Sequence, residues 1–106
     1  MKNIQDETVY LVERIVHSYH PEKVILFGSL ATGKSDEGSD IDLLIIKKSK
    51  KKRPFRVKEV LESLRNVKRT YPLDAIVYTP EEIKKRLTMG DYFVTRIMNE
   101  GKVLYE

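Results

Sequence analysis

Apolar residues recur along this chain at two spacings, and each spacing predicts a type of secondary structure. From Ile4 to Tyr19 they follow the three-to-four-residue period of an amphipathic helix, which Pro21 should end. From Lys23 to Phe27 the sequence KVILF is a β-branched and aromatic run, typical of a buried strand. Between Ser39 and Lys47 the sequence SDIDLLIIK begins in alternation and becomes wholly apolar, which favours a central strand.

The rest of the chain continues this alternation of helices and strands. A helix begins at Pro54, and Pro72 ends it before the apolar run LDAIVYT, which predicts a third strand. The Thr-x-x-Glu spacing that starts at Thr79 is that of a capping box, so another helix should follow. A last helix runs from Gly90 to Met98, and KVLYE predicts a short final strand. We therefore expect one α/β (α+β) domain over residues 1–106, with helices packed on a small mixed sheet.

Composition narrows the class of protein. Hydrophobic residues make up 41% of the chain and charged residues 34%, which fits a folded protein and excludes a disordered one. No apolar run approaches the roughly 20 residues that a transmembrane helix needs, and the first residues lack the layout of a signal peptide. We therefore expect a cytoplasmic protein that does not bind a membrane. Because the chain has no Cys, a metal would have to bind oxygen or imidazole ligands.

The net charge of +4 is unevenly distributed. The segment Lys47 to Arg53 holds six basic residues in seven, whereas Asp36 to Asp42 holds four acidic residues in seven. These two segments flank the same predicted strand, so they should lie at opposite ends of it. The basic segment is either a solvated loop or a surface for an acidic protein or a nucleic acid. It contains no aromatic residue on which single-stranded bases could stack.

Two motifs overlap in the stretch FGSLATGKSDEGSDIDLL. Gly28 to Ser35 matches G-x-x-x-x-G-K-S, the phosphate-binding loop of P-loop ATPases. Such a loop needs a helix directly after Lys34 and Ser35, since the helix N-terminus holds the phosphate. The sequence here is DEGSD, which favours a turn, and a strand follows it. A P-loop ATPase is therefore the less favoured interpretation.

The second motif is a Gly-Ser turn followed by paired carboxylates. Gly28 and Ser29 follow a strand directly, and their backbone and hydroxyl groups can approach phosphate oxygens. Asp40 and Asp42 lie two residues apart on a strand, so both side chains point to one face. Carboxylates about 5 Å apart repel each other by roughly 3 kcal/mol, and a bound Mg²⁺ or Mn²⁺ would relieve this repulsion. Asp74, in the next apolar strand, would complete a triad able to hold two metal ions.

These residues resemble the minimal nucleotidyltransferases of the DNA polymerase beta superfamily. The shared pattern is Gly-Ser, then Asp-x-Asp within FGSLATGKSDEGSDIDLLI, then a third Asp on the strand LDAIV. The resemblance implies a DNA polymerase beta-like fold and Mg²⁺-dependent transfer of a nucleoside monophosphate, as AMP from ATP. It implies that the catalytic, metal-binding residues are Asp40, Asp42 and Asp74, and that the nucleotide-binding residues are Gly28, Ser29, Lys34 and Ser39.

The resemblance also implies a biological partner. Relatives of this length are commonly the antitoxin of a HEPN–MNT toxin–antitoxin pair, and some of them transfer AMP onto a tyrosine of the helical HEPN toxin. The alternative is a catalytically weak module that neutralises the toxin by occlusion. Many relatives carry Arg where this sequence has Leu30 and Thr32, which leaves Lys34 as the nearest cation. The sequence is compatible with an oligomer and does not specify the acceptor or the nucleotide.

Overall fold

A computed structural model of the protein describes residues 3–33 and 40–106, which contain five helices and four strands. In chain order these elements are α1 (Ile4–Tyr19), β1 (Lys23–Phe27), α2 (Gly28–Ala31), β2 (Ile41–Ile46), α3 (Arg53–Ser63), β3 (Leu73–Tyr78), α4 (Pro80–Thr88), α5 (Tyr92–Glu100) and β4 (Lys102–Tyr105). The predicted α/β fold is thereby confirmed. Among the described helices, none is both long and apolar enough to span a bilayer.

The four strands form one mixed sheet in the order β3-β2-β1-β4. The central strand β2 pairs with β1 in the antiparallel direction and with β3 in the parallel direction, and β4 pairs antiparallel with β1. A parallel neighbour requires a crossover, and α3 supplies it between β2 and β3. The strand that carries the Asp-x-Asp motif therefore lies inside the sheet, with a paired strand on each side.

Helices cover both faces of the sheet, which explains why β2 becomes wholly apolar. On one face Leu43 and Ile45 pack in a buried cluster with Leu11 of α1. On the other face Leu44 and Ile46 pack in a second buried cluster, with residues of α4 and α5. Because successive side chains of a strand point to opposite faces, a strand covered on both sides needs apolar residues at every position.

Several details of the prediction differ from the structure, including the last helix, which was expected from Gly90 to Met98 and is α5 (Tyr92–Glu100). The second strand was expected from Ser39 to Lys47, but its ladder begins at Ile41, whose N–H donates to the Pro72 carbonyl at 2.9 Å. Asp40 therefore lies just before the strand instead of within it. Gly28 and Ser29 were expected to form only a turn, and this Gly-Ser turn is continued by the short helix α2, because four residues are too few for a helical period to be recognised in the sequence.

A buried carboxylate ties α1 to the segment that leads into β3. Glu7 is fully buried and accepts hydrogen bonds from the backbone N–H groups of Thr70 and Tyr71, at distances of 2.8 to 3.1 Å. A buried charge is tolerated when several donors satisfy it in this way. Since Asp74 follows three residues after Tyr71, this anchor helps to set the position of the Asp-bearing edge of β3.

Candidate active site

Asp42 and Asp74 lie side by side at the edge of the sheet that is formed by the first residues of β2 and β3. They are register partners in the parallel pairing of β2 with β3, and the antiparallel partner of Asp42 on β1 is Phe27. Register partners point to the same face of a sheet, and neighbouring strands are about 4.8 Å apart. The two carboxylates, 32 positions apart in the sequence, are thus brought together on the face that α5 covers.

Three carboxylates interact electrostatically at this edge. The pKa of Asp42 is raised, first by partial burial and then by the negative charges of Asp74 and Asp40. Each of these effects disfavours the ionised form of Asp42, so the site favours a bound proton or a bound cation. Asp40 and Asp74 are exposed, whereas Asp42 is half-buried between its neighbouring strands.

The donor chemistry of this edge fits a hard divalent cation. Carboxylate oxygens are the ligands that Mg²⁺ and Mn²⁺ prefer, and the mutual repulsion around Asp42 is a force that a cation would remove. The fit lies in the donor set and its charge, because no three acidic, His or Cys side chains in residues 3–33 and 40–106 already form a metal-binding group. The assignment of Asp40, Asp42 and Asp74 as metal ligands stays a prediction.

Position 28 requires a glycine, because its backbone lies close to the side chain of Asp42. Its φ of +76° is in the left-handed region, which favours glycine. An ideal Cβ built on Gly28 would overlap the Oδ2 atom of Asp42 and lie 3.2 Å from its Cγ. The sequence predicted a close approach of this glycine to a phosphate ligand. The approach seen in the structure is to the Asp42 carboxylate, so the Gly-Ser turn and the Asp-x-Asp strand form one site.

An open cleft of about 530 Å³ begins at this turn. One wall is the end of β1 together with α2, and includes Gly28 and Ser29; the other wall is α5. Phe27 and Phe93 contact each other across it, with ring centroids 5.7 Å apart and the planes at 89°. The predicted nucleotide-binding pair Gly28 and Ser29 therefore borders a cavity large enough for a small-molecule ligand.

The remaining predicted nucleotide-binding residues fall elsewhere. Lys34 and Ser39 lie outside the described residues. Leu30, at a position where many relatives carry Arg, packs against the buried cluster on the α1 face of the sheet. Thr32, at the other such position, donates its hydroxyl to the carbonyls of Gly28 and Ser29 at 3.4 and 3.2 Å. Neither side chain brings a positive charge to the cleft.

Sequence reasoning missed the residues that α5 contributes to this site. Phe93, Arg96 and Glu100 line the cleft opposite Gly28 and Ser29. They recur three and four residues apart, which shows that they share a helix face. The apolar pattern of α5 predicted a helix, but it contained no signal for which element its polar side chains would face.

The basic segment Lys47 to Arg53 lies at the opposite end of β2 from Asp42, as predicted. Several of its cations have partners within the protein. Lys47 lies 3.9 Å from the centre of the Tyr19 ring and donates to the Tyr19 carbonyl, and Lys51 pairs with Glu59 at 2.9 Å. Binding of nucleic acid by this segment stays a prediction, and these contacts show that part of its charge also serves the fold.

Comparison with known proteins identifies the family. The model of the nucleotidyltransferase domain family matches residues 9–104. A crystal structure at 1.40 Å resolution of a provisionally assigned nucleotidyltransferase from Sulfolobus solfataricus is also similar, with a TM-score of 0.58 and 29% sequence identity. The match covers 76% of this chain and 70% of that one. No curated protein matches the chain.

The family match agrees with the geometry of the site and disfavours the P-loop interpretation. The match spans the Gly-Ser turn, both Asp-bearing strands and the helix that lines the cleft. Strand β2 begins at Ile41, only six positions beyond Ser35. The chain belongs to the nucleotidyltransferase domain family.

Proposed function

We propose that this protein is a Mg²⁺-dependent nucleotidyltransferase that transfers AMP from ATP to a hydroxyl group of a partner protein. The observation that carries the proposal is the pair of adjacent carboxylates, Asp42 and Asp74, beside Gly28 at the mouth of an open cleft. The proposed partner is a HEPN-type helical toxin in the cytoplasm, for which this protein would be the antitoxin. This part of the proposal is supported only by the resemblance of the sequence to such antitoxins.

The proposed reaction replaces a phosphoanhydride bond of ATP by a phosphodiester bond to the acceptor. The acceptor oxygen bonds to the α-phosphorus of ATP, the bond from that phosphorus to the β-phosphate oxygen breaks, and pyrophosphate leaves. The hydroxyl proton passes to solvent. Atoms and charge then balance without a nucleophilic residue of the enzyme, so positioning and electrostatic stabilisation would supply most of the catalysis.

Different residues of the site would bind the metal ions and the triphosphate. Asp40, Asp42 and Asp74 would hold two Mg²⁺ ions, with Mn²⁺ as the alternative. When bound, such ions lower the pKa of the acceptor hydroxyl and neutralise charge on the leaving pyrophosphate. The Gly28-Ser29 turn would hold the triphosphate at the cleft, and Phe93 would exclude water from its far wall. Asp74 is exposed on an edge strand, so the acceptor has access to it from solvent.

Labelling with ATP radioactive at the α-phosphate tests the activity. The protein is incubated with a HEPN-type helical protein as the candidate partner, in one reaction with Mg²⁺ and in a parallel reaction with EDTA. We expect label on the partner only with Mg²⁺, and loss of at least a hundredfold in rate for Asp42→Asn and Asp74→Asn. Glu81→Gln is the matched control, because it removes one exposed negative charge at the other end of the sheet. Equal labelling by all four proteins would contradict the assigned site.

The second candidate function is neutralisation of a toxin by occlusion. Two observations favour it: Leu30 and Thr32 bring no positive charge to the cleft, and no metal-binding group of three side chains is formed among the described residues. This function predicts that Asp42→Asn still protects cells that express the toxin. The nucleotidyltransferase predicts instead that this variant no longer protects them. A growth assay with both proteins expressed separates the two.

A further inference from the structure

The cleft beside the Gly-Ser turn contains one cation among the described residues that line it. This residue is Arg96 on α5, which lines the same cleft as Gly28 and Ser29. The other charged side chain in the described lining is Glu100, one helical turn further along. A nucleoside triphosphate brings about four negative charges to a site that already holds three carboxylates, so a positive charge in the wall would contribute strongly to binding.

We propose that Arg96 is the phosphate-binding residue of this nucleotide site and takes the role that no cation fills at positions 30 and 32. The inference rests on the proposed nucleotidyltransferase function. A guanidinium group presents planar, paired N–H donors that match phosphate oxygens in a bidentate arrangement. From α5 it reaches the triphosphate from the wall opposite the turn. The site would thus recognise phosphate from both sides of the cleft.

The contacts of Arg96 are consistent with a group that is available to a ligand. Its side chain is 59% exposed, and its Nε donates to the Glu100 carboxylate at 3.2 Å. Glu100 is the only hydrogen-bond partner of this guanidinium within residues 3–33 and 40–106. That bond uses Nε, and the two terminal nitrogens have no hydrogen-bond partner among residues 3–33 and 40–106. An exposed i,i+4 pair of this kind contributes little to stability and can be exchanged for a phosphate at small cost.

The surroundings of Arg96 restrict where it can point. Phe93 and Ile97 flank it on the same helix, and Ile97 is buried against the sheet. The Glu100 carboxylate, one helical turn away, accepts a hydrogen bond from the Arg96 Nε at 3.2 Å. Glu100 therefore competes with a bound phosphate for this guanidinium, and Glu100→Gln should make nucleotide binding tighter.

Calorimetric titration with Mg²⁺-ATP measures the contribution of Arg96. We expect Arg96→Ala to weaken ATP binding by about tenfold, as the loss of a charge-assisted hydrogen bond implies. Arg96→Lys should be intermediate, since it keeps the charge and loses the paired donors. The matched control is Arg53→Ala, which removes the same charge from an exposed position at the other end of the sheet. It should bind ATP as the wild type does.

Salt dependence and a ligand without phosphates provide a readout that a merely structural role would not change. ATP affinity should fall less steeply with added salt in Arg96→Ala than in the wild type, because one charge contact is missing. Affinity for adenosine, which has no phosphate, should be equal in both. Arg96→Ala with wild-type ATP affinity and salt dependence would overturn the assignment of Arg96 and leave the nucleotide site standing. If the wild type itself binds no Mg²⁺-ATP, the proposed function and this inference both fail.

Discussion

Replacing Gly28 by Ala should lower both the free energy of unfolding and the transferase activity, through a contact of the new methyl group with Asp42. The substitution has a backbone cost, because the φ of +76° is unfavourable for any residue with a Cβ, by about 1–2 kcal/mol. It also has a steric cost. The new methyl group would overlap Asp42 Oδ2, and moving a packed side chain aside costs about 1–3 kcal/mol more.

Gly90 offers a matched control for the backbone part of this cost. Its φ is +77°, and a Cβ added there meets no atom within 4 Å. Gly90→Ala should therefore lose only the backbone part, about 1–2 kcal/mol in the free energy of unfolding. The difference between the two variants in urea titrations is the steric cost at Asp42, for which we expect about 1–3 kcal/mol.

A double substitution tests whether Asp42 causes this difference. In Asp42→Ala only the Cβ of residue 42 remains, at 3.5 Å from the built methyl group, which is an ordinary contact. Gly28→Ala should then cost about as much as Gly90→Ala, and the double-mutant cycle should give a coupling energy of about 1–3 kcal/mol. Transferase activity of Gly28→Ala should fall more than tenfold, whereas Gly90→Ala retains it. Equal stability losses for Gly28→Ala and Gly90→Ala would refute the reasoning.

Three further variants test the electrostatics and the anchors of the fold. In EDTA, Asp42→Asn should unfold at higher urea concentration than the wild type near pH 7, because burial, Asp74 and Asp40 raise the Asp42 pKa. A raised native pKa stabilises the protonated form, so the wild type should regain this stability as the pH falls through that pKa, and the two urea curves should merge at low pH. Glu7→Gln should lower the free energy of unfolding by about 2–3 kcal/mol, since the buried carboxylate accepts hydrogen bonds from the N–H groups of Thr70 and Tyr71. A loss as small as that of Asp6→Asn, at the exposed neighbouring position, would contradict an anchoring role. Thr79→Ala should lose about 1 kcal/mol in thermal or urea unfolding, because its hydroxyl accepts from the Glu82 N–H at 3.1 Å, and an unchanged midpoint would argue against the cap.

Features that depend on neighbouring residues were predictable from the sequence. The capping box at Thr79 is present in both directions, with the Thr79 N–H donating to Glu82 Oε1 at 2.8 Å. The apolar runs of β1, β2 and β3 all form strands, and the periodic stripe from Ile4 to Tyr19 forms α1 over the same residues. Such features need only the chain within a few positions, because hydrogen bonding and side-chain direction repeat with the local backbone.

The end of α3 could not be predicted from the local sequence pattern. The apolar stripe after Pro54 continues to Val67, but α3 ends at Ser63 and is followed by tight i to i+3 hydrogen bonds, such as that from Leu64 N to Leu61 O at 3.1 Å. Leu64 is buried and Val67 packs against the same cluster. Apolar residues in a turn bury themselves as readily as those on a helix, so the stripe alone does not mark the boundary.

By itself, the sequence determined the order of all the elements except the short helix α2, the position of Gly28 at a strand end, and the two strands that carry Asp42 and Asp74. Only the tertiary structure decided that these two residues are register partners, that Asp42 occupies the space a Gly28 side chain would need, and that α5 brings Arg96 to the opposite wall. The physical reason is the range of the interactions involved. Strand pairing and helix packing join residues that are distant in the chain, and a run that is apolar at every position, as Leu43 to Ile46 is, does not by itself mark which neighbouring residue it pairs with.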